Sequence, residues 1–121
     1  MKKIEAIIRP NRLPAVTLAL HRMEEVAGVT ITEARGFGCR RSPKSAPSMV
    51  QDLIDYVSFV RVEVVCPEDS ASGIALAIER AASSGQPGDG KIFISDVGQA
   101  VRIATGERGE RAVCRQSPQL P

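Results

Sequence analysis

Apolar Ile4, Ala6 and Ile8 alternate with Lys3, Glu5 and Ile7 near the start of the chain, a period of two that predicts a strand over residues 2–9 with one fully apolar face. Pro10 stops it. Asn11 can cap a helix, and Pro14 is tolerated in a first turn, where its missing N–H has no partner to lose. Leu13, Val16, Leu20 and Met23 then line one helical side, and Ala27-Gly28 ends the helix. The β-branched run Val29-Thr30-Ile31-Thr32-Glu33-Ala34 predicts a second strand that carries the chain to Gly36-Phe37-Gly38.

From Cys39 to about Ser58 the periodicity fails, because Arg40, Arg41, Ser42, Pro43, Lys44 and Pro47 suit no regular element. Met49 to Tyr56 has the makings of a short helical turn, but the stretch as a whole is longer than a compact domain normally carries without a functional reason. Val60 to Val65 alternates again as a third strand, closed by Pro67. Glu68 and Asp69 place negative charge at the start of a second helix, where the dipole favours it, and Ala71, Ile74, Ala75, Ile78 and Ala82 form its buried stripe up to Gly85. A turn at residues 86–90 leads into a fourth strand, Lys91 to Ser95.

The order βαββαβ is the split βαβ plan: an α+β, ferredoxin-like fold with an antiparallel four-stranded sheet and both helices on one face. Its other face is left uncovered. Ile7, Val65 and Phe93 put apolar side chains there, so self-association is the natural cover. One domain over residues 1–113 and a flexible tail over 114–121 are expected, the last residues being polar and Pro-containing.

Composition narrows the function. A net charge of +2 spread evenly, with one Tyr and three Phe, argues against a nucleic-acid partner. No apolar run approaches the roughly 20 residues a membrane span needs, and Glu5 and Arg9 interrupt the stretch a signal peptide would require, so a cytoplasmic protein without membrane insertion is expected. Cys39, Cys66 and Cys114 are odd in number and lack CxxC spacing, which predicts neither a disulfide framework nor a metal site. No acid–base pair or triad accompanies His21, so no catalytic residues are expected and the chain is read as no enzyme.

Two segments carry chemistry. In Gly88-Asp89-Gly90-Lys91 the glycines let backbone N–H groups converge on an anion and the lysine neutralises phosphate charge, although any tight surface turn can look the same. Thr105 to Glu110, preceded by Arg102, is a charged turn whose arginines can reach a phosphate or simply lie in water.

Taken with the opening Met1 to Pro10 and with Gly36-Phe37-Gly38, these segments resemble the PII (nitrogen regulatory P-II) signal-transduction family over the chain to about residue 113. The resemblance implies a homotrimer whose sheets meet at the centre, with clefts between subunits that bind an adenine nucleotide as effector rather than as catalytic cofactor. It also implies that the long loop docks a target protein such as a transporter, an enzyme or a carboxysome-linked component. Adenine and ribose would lie against Gly28, Thr30, Glu63 and Val65 with Ile7 beneath. Phosphates would meet Gly88, Asp89, Gly90, Lys91 and Arg102, approached by Gly36, Phe37 and Gly38.

Departures from the family pattern bear on the ligand. The second phosphate arginine is Ala104, a lost charge-assisted contact worth about 1.5–3 kcal/mol that handicaps ATP more than ADP or AMP. The loop-base glutamine and the arginine before it are Arg40 and Cys39, the lysine that pairs with 2-oxoglutarate is Phe59, and the tyrosine that is uridylylated in some members is Asp52. Arg40, Arg41 and Lys44 suit a small anion without a magnesium bridge. With its altered loop the chain also resembles divergent PII-like proteins associated with inorganic-carbon uptake and carboxysomes, and that resemblance implies bicarbonate in a carbon-linked regulator as one candidate. A nitrogen-status regulator responding to ATP and 2-oxoglutarate is an alternative. So is a trimeric scaffold of the copper-tolerance type, although that needs neither the Gly88–Lys91 turn nor the long loop.

Overall fold

Alternation on the two central strands decides the architecture, because one side of each has to be taken out of water and the other does not. The computed structural model of the protein describes residues 1–36 and 57–115. Strand β1 (Lys2–Ile8) is followed by a 3-10 turn at Pro10–Arg12 and helix α1 (Leu13–His21), then β2 (Thr30–Gly36), β3 (Val57–Cys66), helix α2 (Glu68–Ala82) and β4 (Gly90–Asp96). The sheet order is β2-β3-β1-β4, and every pairing is antiparallel. This is the ferredoxin-like α+β fold expected.

Ile4, Ala6 and Ile8 on β1 and Val60, Val62, Val64 and Cys66 on β3 face the helices. They pack against Val16 and Leu20 of α1 and Ala71, Ile74, Ile78 and Ala82 of α2 in one core. The nine largest of the fully buried side chains all lie in these elements, and at about 1.5–3 kcal/mol for burying each large aliphatic chain the core dominates stability. Burial pushes the Cys66 thiol pKa up, as a core cysteine's would be.

Several boundaries depart from the sequence expectation. Asn11 does not cap α1: it lies inside the 3-10 turn, and the cap position, Arg12, makes no side-chain hydrogen bond. Three residues beginning with a proline tighten into i→i+3 bonding before the wider helix starts, which moves the first α-helical residue to Leu13. α1 stops at His21 rather than at Ala27, and α2 at Ala82 rather than Gly85. Strand β3 begins at Val57, inside the predicted 39–58 loop, because Val57 and Ser58 still pair with Gly36 and Arg35. The rest of that loop, with the turn expected over 49–56, lies outside the described residues.

The second sheet face carries charge as well as apolar groups. Glu5 stands directly across from Glu63, and Arg61 reaches both, at 3.8 Å and 3.3 Å; Lys3 adds a 4.0 Å contact to Glu63. The Arg61 Nε is buried and lacks a good hydrogen bond. Phe93, next to Glu5 on β4, is 55% exposed, and Ile103 on the following loop is 99% exposed.

Candidate functional site

The residues singled out from the sequence fall into two groups at opposite corners of the sheet. One group lines a cleft of about 470 Å³ bounded by Ala27, Gly28, Thr30, Glu63, Val65, Arg102 and the segment Ala112 to Arg115. Gly28, Thr30, Glu63, Val65 and Arg102 were all expected to bind one ligand, and the pairing of Thr30 with Glu63 brings them together. Beyond β4 the chain makes a small hairpin, closed by a Val101–Arg108 bridge and by Gly106 and Gly109 at positive φ. That hairpin returns Arg102 to the cleft.

Arg102 is heavily engaged there. Its Nη1 donates to Glu107 at 3.2 Å and its Nη2 to the carbonyls of Arg111 and Ala112, at 3.1 Å and 3.5 Å, and of Cys114. These bonds hold a 3-10 turn, Gly109–Val113, whose Val113 is buried. Arg115 then donates from Nε to the Val26 carbonyl at 3.1 Å. Cys114 and Arg115, assigned to the flexible tail on sequence grounds, thus form a wall of the cleft, while residues 116–121 lie outside the described residues.

The second group is the turn between α2 and β4. Ser84 donates to both carboxylate oxygens of Asp89, through its N–H at 2.7 Å and through its hydroxyl. These bonds, with Arg9 contributing less, hold the Asp89 carboxyl below the usual carboxylate range. Arg9 fastens the turn to β1, donating to the Gly88 carbonyl at 3.1 Å and the Pro87 carbonyl at 2.6 Å, with its Nε 3.4 Å from Asp89. Gly88 and Gly90 both have positive φ, and a Cβ on Gly90 would lie 1.7 Å from the Ile7 carbonyl oxygen. Only glycine lets β4 begin so close to β1. Lys91, exposed, sits beside Ile7.

Within one chain Ile7 lies with this second group, between Arg61 and Lys91 and apart from Thr30 and Val65. Gly36, paired with Val57, marks the point where the chain leaves and re-enters the sheet, at the same end as the turn. Phe37, Gly38, Arg40, Arg41 and Lys44 lie outside the described residues. Three strand spacings and three residues of register separate Thr30 from Gly90, on the order of 15 Å. One small ligand on one chain meets only one group.

Sequence reasoning missed Arg9 and Arg115. Arg9 had a legible signal, a cation immediately before the proline that ends a strand. Arg115 had none, because in sequence it is one more charge in a polar tail. Among the described residues no three His, Cys, Asp or Glu side chains gather as a metal centre would require, and no helix is long and apolar enough to cross a membrane.

Comparison with known proteins bears on this arrangement. The family model described as nitrogen regulatory protein P-II matches residues 1–107. Nitrogen regulatory protein P-II of Mesorhizobium japonicum is 43% identical over 113 residues, 93% of this chain and 100% of the relative. Nitrogen regulatory protein P-II 1 of Escherichia coli is 38% identical over the same shares. Among solved structures, Arabidopsis thaliana PII bound to citrate superposes with a TM-score of 0.74 at 37% identity, covering 92% of this chain and 90% of that one.

Proposed function

This chain belongs to the nitrogen regulatory protein P-II family, and from that premise we propose that it binds an adenine nucleotide between copies of itself and so controls a partner protein. The observation that carries the reading is the division of the site. The cleft at Gly28, Thr30, Glu63, Val65 and Arg102 and the turn at Gly88–Lys91 occupy diagonal corners of one sheet, so a neighbouring copy is needed to bring them together. The half-apolar sheet face with exposed Phe93, and the fully exposed Ile103, supply surface for such a neighbour in a homotrimer. The role is regulatory rather than catalytic, in the cytoplasm.

ADP and AMP are the favoured ligands. Arg102 already serves Glu107 and three carbonyls, and Ala104 brings no charge, so a triphosphate finds little further compensation in this cleft. A small anion, bicarbonate among them, is the proposed co-effector through Arg40, Arg41 and Lys44 in a carbon-linked role. That the Arabidopsis relative was solved with citrate is in keeping with a carboxylate or carbonate ligand on this fold. The nitrogen-regulatory names of the relatives favour a second reading, a response to ATP and 2-oxoglutarate. Phe59, which occupies the sheet position opposite Ala34, offers no cation to a 2-oxoglutarate carboxylate. The P-II match over residues 1–107 leaves the copper-tolerance-type scaffold without support.

Isothermal titration with AMP, ADP and ATP, each alone, with bicarbonate and with 2-oxoglutarate, tests the proposal, alongside the molar mass in solution. ADP or AMP binding to a trimer, tightened by bicarbonate, is the expected result. Magnesium-ATP binding tightened by 2-oxoglutarate would favour the second reading, and no nucleotide binding would refute both.

A further inference from the structure

Charge bookkeeping in the cleft singles out a residue beyond the family match. Glu63 is compensated by Arg61 and Lys3, and Arg102 by Glu107. Arg102 also spends its Nη2 on the carbonyls of the C-terminal segment, so its work in this structure is to hold that segment in place. Arg115, at the end of the held segment, lines the same cleft. Among the described residues the ion pairs involve Lys2, Lys3, Arg9, Arg61 and Arg102, but not Arg115. Its Nε donates to the carbonyl of buried Val26, directly before the cleft residues Ala27 and Gly28, and this bond fixes the plane of the guanidinium. The Nη edge then keeps the two-pronged geometry that matches paired anionic oxygens.

Resting on the nucleotide reading of this cleft, we infer that Arg115 is the guanidinium that meets the phosphate of the bound nucleotide, and that Arg102 positions it by clamping residues 111–114. Because Arg115 lies beyond the residues 1–107 that match the family, this is a feature of the present chain rather than one carried over by the match. The C-terminal segment thereby becomes part of the binding site and sets its preference for charged nucleotides over the nucleoside.

The test is isothermal titration of the full chain and of its Arg115→Gln and Arg115→Lys variants with ADP, AMP and adenosine, each variant being checked for an unchanged thermal melt. Arg115→Gln is expected to weaken ADP and AMP roughly tenfold or more, the loss of a charge-assisted contact, while adenosine changes less than about twofold. Arg115→Lys, which keeps the charge without the fork, falls in between, and its ADP-to-adenosine ratio decides the matter should the Gln variant not fold. Unchanged ADP affinity, or equal losses for ADP and adenosine, would overturn the assignment while the nucleotide reading stands. A parent protein that binds none of the three overturns both.

Discussion

Replacing Gly90 by alanine probes the closest backbone approach among the described glycines. At φ +115° a side chain is strained wherever it is placed, at a cost of about 1–3 kcal/mol. The added Cβ would stand 1.7 Å from the Ile7 carbonyl oxygen and 2.9 Å from its carbon, so the backbones of β1 and β4 have to separate by more than an ångström. Gly90 pairs with Ile8 and Lys91 with Ile7, and the ladder bonds at that end, about 0.5–1.5 kcal/mol each, are lost with the shift. The Gly90→Ala change is therefore expected to cost about 3–5 kcal/mol, a large part of the stability of an ordinary domain.

Urea unfolding followed by circular dichroism measures it, with the protomer concentration held fixed because self-association adds to apparent stability. With a slope of about 2 kcal/mol per molar urea, the midpoint should fall by roughly 1.5–2.5 M. Gly28→Ala is the control: its Cβ meets nothing within 4 Å, and its φ lies outside the left-handed region, so its midpoint should barely move. A Gly90→Ala midpoint within about 0.3 M of the parent would refute the argument that backbone contact, rather than ligand chemistry, requires glycine here.

Other outcomes follow from the same contacts. Arg9→Ala removes the donor that serves Pro87 and Gly88, so nucleotide titration should show weaker binding while stability drops by only about 1 kcal/mol, since the contacts are exposed. Arg61→Met leaves Glu5 and Glu63 facing each other on adjacent strands and should destabilise by about 1 kcal/mol in chemical denaturation, recovered when Glu5→Gln is added. The folded Asp89 carboxyl titrates below its unfolded value. Its contribution is therefore present above the ordinary carboxylate range and disappears as pH falls through the depressed folded pKa; carboxyl NMR titration should show that pKa rising in Ser84→Ala. Thiol labelling of the native protein should modify exposed Cys114 and reach buried Cys66 only on unfolding.

What the sequence revealed follows from the range of the interactions involved. The alternation of Ile4, Ala6 and Ile8 and the stripe at Ala71, Ile74 and Ile78 are local periodicities enforced by a single core, so strand and helix faces could be read residue by residue. Helix ends were less legible, because at Pro10–Arg12 the competition between 3-10 and α geometry turns on a single hydrogen-bond choice. The cleft residues Thr30 and Glu63 were found through family likeness; no local pattern announces that positions this far apart in sequence will pair. Arg115 was invisible because its role depends on two long-range bonds, Arg102 to the Cys114 carbonyl and its own to Val26.

Those two bonds also bear on how a site of this kind could report occupancy. Arg102 is the hinge of the arrangement: its guanidinium lines the cleft and also holds Arg111, Ala112 and Cys114. On the proposed reading, a ligand that draws Arg102 away takes donors from the C-terminal segment, whereas a ligand met by Arg115 leaves the clamp intact. AMP and ADP can be satisfied in the second way, while a triphosphate, with more charge to compensate, has to compete for Arg102. Nucleotide preference and the order of the C-terminal segment are then two readouts of one equilibrium. Amide exchange at residues 109–115 should slow with ADP and quicken, relative to ADP, with ATP; equal protection by both nucleotides would refute the coupling.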